Sequence, residues 1–239
     1  APRGGLTPPQ QAVMTEAIAT LRRLGAVVVD PAHLPSVIDP DASRNFLDWP
    51  VCAGPDHAKG RDAGCSVTYK YGMKRDFTRW LQRLGPAAPL TSLTELRAWN
   101  TAHAGAGTVK YGQSNLDNAD AMDLEADRSR YESDRRRDLL VTATHGIDEV
   151  MRTERLDALL FPAQNGAGIA ARAGYPSVIV PFATVPADTS VPFPAGFDPK
   201  PAPFGVTFTG MACSEPRLIA LAYAFEQATA RRRAPAQFP

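Results

Sequence analysis

Long apolar runs, histidine and an excess of either charge are scarce in this chain, and each scarcity excludes a function. No 18 consecutive residues are apolar, so no helix is expected to span a bilayer. The 26 Lys and Arg nearly balance 25 Asp and Glu, leaving a formal net charge of +1. That balance sets up no field for nucleic acid or an anionic membrane, and neither partner is expected. His33, His57, His103 and His145 lie far apart without metal-ligand spacing, so no metal is expected. The strings Gly-x-Ser-x-Gly and Gly-x4-Gly-Lys-Ser/Thr do not occur, which excludes a nucleophile elbow and a P-loop. Gly166-Ala167-Gly168 lacks the third glycine of a dinucleotide fingerprint, and the run after it is not a convincing helix. No cofactor is expected.

What is present belongs to a globular protein: 44% apolar and 21% charged residues, richer in apolar groups than disordered chains. The first residues, Ala-Pro-Arg-Gly-Gly, suit a mature protein, a subunit or an excised piece. There are three cysteines. Cys52 and Cys65 flank a Gly/Asp/Lys-rich loop whose sole histidine is His57, too little for zinc. A disulfide is the favoured reading, with two reduced thiols as the alternative. The bond would add roughly 2–3 kcal/mol by loop closure and would imply a secreted or periplasmic protein; otherwise the protein is cytoplasmic. Cys213 is expected to be a small buried apolar side chain.

The chain opens with a helix. Thr7 can cap it, Pro8 and Pro9 suit a first turn, Val13, Met14, Ala17, Ile18, Leu21 and Leu24 recur at helical spacing, and Gly25 stops it. Ala26 to Asp30 reads as a buried strand. Residues 31–69 are irregular and insertion-like, broken by five prolines. A helix is expected over 70–84, with Met73, Phe77, Trp80, Leu81 and Leu84 on one side. Another begins at Ser92, whose spacing to Glu95 suits a capping box. A long helix is expected over 121–153, its Asp/Arg-rich part a solvated, salt-bridged face. The last third reads as strands at 156–161, 177–181 and 204–210, a Gly/Ala-rich loop from Ala163 to Gly174, a proline-rich loop over 181–204, and a final helix capped by Ser214. Alternation of helices and apolar strands implies an α/β fold, and no internal repeat or linker demands two domains.

In this last third the residues become specific. Leu156-Asp157-Ala158-Leu159-Leu160-Phe161-Pro162, Ala173-Gly174-Tyr175-Pro176-Ser177-Val178-Ile179-Val180-Pro181, Pro203 to Gly210, and Ser214-Glu215-Pro216-Arg217-Leu218 followed by Leu221 to Thr229 together resemble the carboxy-terminal half of an amidase-signature family enzyme. Ser92 to Asn100, Tyr111-Gly112-Gln113 and Tyr131 fit the same region in the same order. The resemblance is clearest over 85–232. It implies a layered α/β/α sandwich around a mixed sheet, and carboxamide cleavage through an acyl-serine intermediate. The family's paired serines and lysine belong to a Gly/Ser-rich amino-terminal half. This chain has no Ser-Ser pair and no Gly-Gly-Ser string, so no catalytic residue is assigned and the isolated chain is expected to be inactive.

The resemblance further implies that this portion supplies strands and part of the acyl pocket for a small amide substrate. Gln164, Asn165, Gly168 and Ile169, in the loop after the first of these strands, are the candidate substrate-binding residues, against an ordinary loop role for each. Gly174-Tyr175-Pro176 reads as a turn, and Gln113 and Tyr131 are secondary candidates. The expected partner is the missing amino-terminal catalytic half or another chain, with self-association possible through uncovered strands. The alternative function is a non-catalytic binding or scaffold domain derived from the same fold.

Overall fold

The computed structural model describes residues 5–187 and 193–234. The elements run α1 (Pro8–Arg23), α2 (Pro35–Ile38), a 3-10 turn (Pro55–His57), α3 (Thr68–Gly72), a wide helical turn (Met73–Phe77), α4 (Thr78–Arg83), α5 (Leu93–Ala102), a second 3-10 turn (Ala104–Ala106), α6 (Ser114–Asp120) and α7 (Arg128–Leu139). A second wide turn (Leu140–Ile147), α8 (Asp148–Thr153), β1 (Leu159–Pro162), α9 (Ala167–Ala173), β2 (Ser177–Val185), β3 (Ala202–Thr209) and α10 (Glu215–Thr229) complete them. The α/β class read from the sequence holds. The chain forms two compact units, Ala1–Asp39 with Leu140–Pro239, and Pro40–Leu139. The irregular excursion expected at 31–69 therefore belongs mostly to a longer unit of its own.

The first unit carries an antiparallel sheet in the order β1-β3-β2. Central β3 is buried from Phe204 to Thr209. Leu159 pairs with Thr209 and Pro162 with Val206 on one side, and Ser177 with Thr209 on the other. Helices α1 and α10 cover the sheet: Met14, Ala17, Val180, Phe182, Phe208, Leu218 and Phe225 share one core. The Phe225 ring lies 5.2 Å from Phe182 and 5.7 Å from Phe208. Each such side chain contributes roughly 1.5–3 kcal/mol of burial. On α10, Leu218, Ala222 and Phe225 form the buried stripe, while Ile219 and Tyr223 face outward.

Several expectations change here. α1 starts and stops as read: the Thr7 N–H donates to Gln10 Oε1 at 2.9 Å, and Gly25 takes φ 91°. Ala26 to Asp30, however, is not a strand. Val27 is 93% exposed, and no backbone hydrogen bond joins Val27 to Val29 with any described residue. A strand exists by pairing, and none of these three residues is paired. The loop expected at 163–174 contains α9, helped by four alanines, the strongest helix former, at 167, 170, 171 and 173. The proline-rich loop is shorter than expected, since β2 runs to Val185 and β3 starts at Ala202; residues 188–192 lie outside the described set. Cys213 is exposed, not buried, at a left-handed φ of 61° in the turn before α10. Ser214 holds the N-cap position, but its hydroxyl donates to the Met211 carbonyl at 2.7 Å instead of capping.

The second unit is helical and polar. The helix expected over 121–153 begins only at Arg128, after a turn in which the Asp123 carboxylate accepts the N–H groups of Glu125 and Ala126, both at 2.9 Å. At the other end, Gly146 (φ −124°, ψ −109°) breaks the helical path before α8. Within α7 the charged face is not all solvated, as had been expected: Asp134 and Asp138 are buried. They accept from groups that would otherwise be orphaned, the Val67 N–H at 3.0 Å, the Ser66 hydroxyl at 2.9 Å and the Trp49 indole at 2.9 Å. Of the apolar side expected on 70–84, Leu81 is buried, whereas Trp80 and Leu84 are about half exposed. At α5 the Glu95 N–H donates to Ser92 Oγ at 3.2 Å, but the Glu95 carboxylate accepts from the Thr91 N–H at 2.7 Å instead of completing the reciprocal box.

Candidate functional site

Gln164, Asn165, Gly168 and Ile169 fall on the turn from β1 into α9 and on the start of that helix. The turn is fixed by neighbours. Ala163 has a φ of 45°, its N–H donates to the Gly205 carbonyl at 2.9 Å, and its own carbonyl accepts the Thr207 hydroxyl. β3 thus holds the turn from both sides. Gly166 is required: a Cβ there would lie 2.5 Å from the Phe161 ring, closer than packed atoms allow. The result is an ordered turn presenting Gln164, Asn165 and Gly168 at the surface, with Ile169 buried beneath. Gln164 and Asn165 offer amide donors and acceptors on a fixed backbone, able to grip a polar planar group such as an amide. Ile169 can act on a ligand only by shaping this support.

Tyr175, read as part of a turn, has chemistry of its own. Burial, and then the neighbouring Asp148 carboxylate, push its phenol up to about 12. Asp148 also pairs with Arg152 at 3.2 Å. Sequence alone gave no signal for this pair, because a Tyr 27 positions from an Asp has no spacing rule.

A cleft of about 620 Å³ lies elsewhere in the same unit, between the extended segment after α1 and the chain leading through β1. Val27, Val28 and Val29 line one bank and Leu156, Leu159 and Leu160 the other. None of the four candidate residues lines it.

In the second unit Gln113 lines a small polar hollow of about 280 Å³ with Asn100, Thr108 and Tyr111. Tyr131 stacks on Tyr71 at 4.3 Å, with the Arg75 guanidinium 5.0 Å from its ring. Cys52 and Cys65 form the disulfide favoured from the sequence. Its 13-residue span encloses Asp62, which is paired with the fully buried Lys70 and with Arg130 at 3.3 Å. Lys70 also donates to the His57 carbonyl at 3.2 Å. Burial alone would raise the Asp62 carboxyl, but the Lys70 hydrogen bond and the charges of Lys70 and Arg130 hold it below the usual range. Lys70 is shut away from any ligand, so this cluster secures the 52–65 loop.

No family model matches the chain. A probable amidase of Arabidopsis thaliana is 27% identical over 234 residues, covering 98% of this chain and 39% of that protein. The X-ray structure of native peptide amidase from Stenotrophomonas maltophilia is 31% identical with a TM-score of 0.67, covering 96% of this chain and 43% of that one. An amidase family protein from Bacillus anthracis, 21% identical, shares the fold at a TM-score of 0.66 over 97% of this chain and 38% of its own. The protein is an amidase relative in sequence and fold, and the resemblance to the amidase-signature family holds. It spans about two fifths of the length of the proteins it matches.

Proposed function

We propose that this chain is the carboxy-terminal portion of an amidohydrolase that cleaves carboxamides through an acyl-serine intermediate. The observation that carries the reading is the match itself: nearly the whole chain aligns with only about two fifths of an amidase. The lack of a Ser-Ser pair and a Gly-Gly-Ser string in these 239 residues supports placing the nucleophile in polypeptide that this chain does not contain. A lone serine hydroxyl needs an adjacent base to attack an amide, and Lys70, the one buried lysine, is already committed to Asp62. In the complete enzyme this portion supplies sheet strands and one wall of the acyl pocket. Gln164, Asn165 and Gly168 meet the amide there, and Ile169 backs them. The disulfide favours an exported enzyme.

The experiment is ammonia release from a panel of simple carboxamides and peptide amides. The isolated chain should be silent, and the polypeptide of the complete reading frame should be active, with Asn165→Ala and Gln164→Ala raising KM. Hydrolysis by the purified isolated chain, insensitive to protease inhibitors, would sink the reading. Activity of neither form would favour a non-catalytic scaffold derived from the fold.

A further inference from the structure

The asparagines of this chain are treated unequally by the fold. Asn45 Oδ1 accepts the Leu47 N–H at 2.7 Å, Asn100 Nδ2 donates to Gln113 at 3.3 Å, Asn115 Oδ1 accepts the Gly54 N–H at 2.7 Å and Asn118 Nδ2 donates to the Gly54 carbonyl at 2.6 Å. Each is followed by a residue with a Cβ: Phe46, Thr101, Leu116 and Ala119. Asn165 differs on both counts. Its side chain is exposed and bonds to no described residue, and Gly166 follows it. That glycine is imposed by the core, because a Cβ there would lie 2.5 Å from the Phe161 ring. The missing Cβ leaves the Gly166 nitrogen open to a side chain beside it, and its N–H meets no described acceptor. One backbone hydrogen bond, from the Ala167 N–H to the Gln164 carbonyl at 2.9 Å, spans the Asn165–Gly166 pair, so little has to open for the two groups to meet. We propose that Asn165–Gly166 is a self-modification site, at which the chain expels ammonia from the Asn165 side chain and turns a neutral amide into a carboxylate.

The chemistry needs only water. The Gly166 nitrogen gives its proton to hydroxide and attacks Asn165 Cγ. The new N–Cγ bond forms, the Cγ–Nδ2 bond breaks, and ammonia leaves with a proton from solvent. Water then opens the cyclic imide at either carbonyl. One opening gives aspartate. The other gives isoaspartate, whose backbone runs through the former side-chain carbon. Water enters and ammonia leaves, with no change of oxidation state. The consequence for a ligand rests on the amidase reading above. An amide both donates and accepts, whereas a carboxylate only accepts, so a substrate carbonyl loses its donor at this turn. Isoaspartate also lengthens a turn that β3 holds at Ala163 and that Gly166 packs against Phe161.

The test is incubation of the folded polypeptide of the complete reading frame at mildly alkaline pH, followed by tryptic mass spectrometry. The peptide Leu156–Arg172 holds Asn165 as its sole asparagine. It should gain about 1 Da, placed at Asn165 by fragment ions, with aspartate and isoaspartate both present. The gain should be at least about tenfold faster than at any other asparagine, the protection that a retained hydrogen bond gives the others, and Asn165→Gln should abolish it. A folded protein that keeps its mass at Asn165 while its urea-unfolded form gains it would overturn the proposal, since the turn would then be the protector. A faster gain at Asn45, Asn100, Asn115 or Asn118 would overturn it as well. Kinetics separate the two readings. In an amide-hydrolysing protein, full conversion and Asn165→Asp should each raise KM with kcat held. An unchanged KM would remove Asn165 from the amide pocket and leave the modification site standing. Modification in a complete protein that cleaves no amide would count against the amidase reading alone.

Discussion

The two units solve the problem of stability by different means. The unit Ala1–Asp39 with Leu140–Pro239 packs phenylalanines, valines and leucines between a sheet and two helices. The unit Pro40–Leu139 has a small apolar cluster, with Val67, Tyr71 and Met122 around the disulfide, and relies on buried ions: Asp62 with Lys70 and Arg130, Asp138 with Trp49 and Ser66, Asp134 with the Val67 N–H. A region rich in irregular chain and poor in core needs such staples. The apolar unit depends mainly on that core, and Val27 is left exposed beside it.

The contrast can be broken most sharply at Asp62. Asp62→Ala leaves the ammonium of Lys70 buried without its carboxylate and should cost about 3–5 kcal/mol, read by urea denaturation or by exchange at amides near Val67–Tyr71. Adding Lys70→Met should recover much of the loss. The same carboxylate gives the acid response its sign. With its folded pKa below the ordinary value, Asp62 stabilises above about pH 3.9, and the contribution vanishes as pH falls through the lower folded value.

In the apolar unit the matching test is Phe182→Ala, expected to lose about 3–5 kcal/mol through the cavity left beside Phe225. A loss under about 1 kcal/mol, seen as a nearly unchanged Tm, would mean the sheet core is not what holds this unit. Slightly smaller is the staple. Cys52→Ser with Cys65→Ser should lose about 3 kcal/mol for a loop of this span, and a reductant added to the wild type should reproduce the fall in melting temperature. At the candidate turn, Gly166→Ala forces a methyl into the Phe161 ring and should cost roughly 1–3 kcal/mol; in the complete enzyme it should also lower kcat/KM by displacing Asn165. The mildest effect is at Tyr175. Its phenol should ionise near pH 12, seen at 295 nm as an absorbance step missing from Tyr175→Phe. The stability it lends is complete below the ordinary tyrosine value near 10 and is lost as pH rises through about 12.

Much was legible locally. The start of α1 at Thr7, its stop at Gly25, the three strands of the last third and the Cys52–Cys65 bond each follow from signals within a few residues. The candidate turn was legible in position, because a strand ending at Pro162 must hand over to something, but not in form. That Ile169 lies beneath and Gln164 above depends on which side of α9 meets its own unit. The inward carboxylates of α7 were misread because Asp134 and Asp138, four apart among arginines, look the same whether water or an orphaned N–H receives them.

By itself, then, the sequence determined the class: apolar strands alternating with helices, in an order that resembles an amidase, without the serines of its catalysis. The tertiary structure decided which written strands are strands. Leu159–Pro162 became one because β3 pairs with it, and Val27–Val29 did not because no described backbone group bonds to them. Helical hydrogen bonds close within four residues of the chain. A strand's partners come from anywhere, so its sequence states a capacity that only an assembled neighbour fulfils.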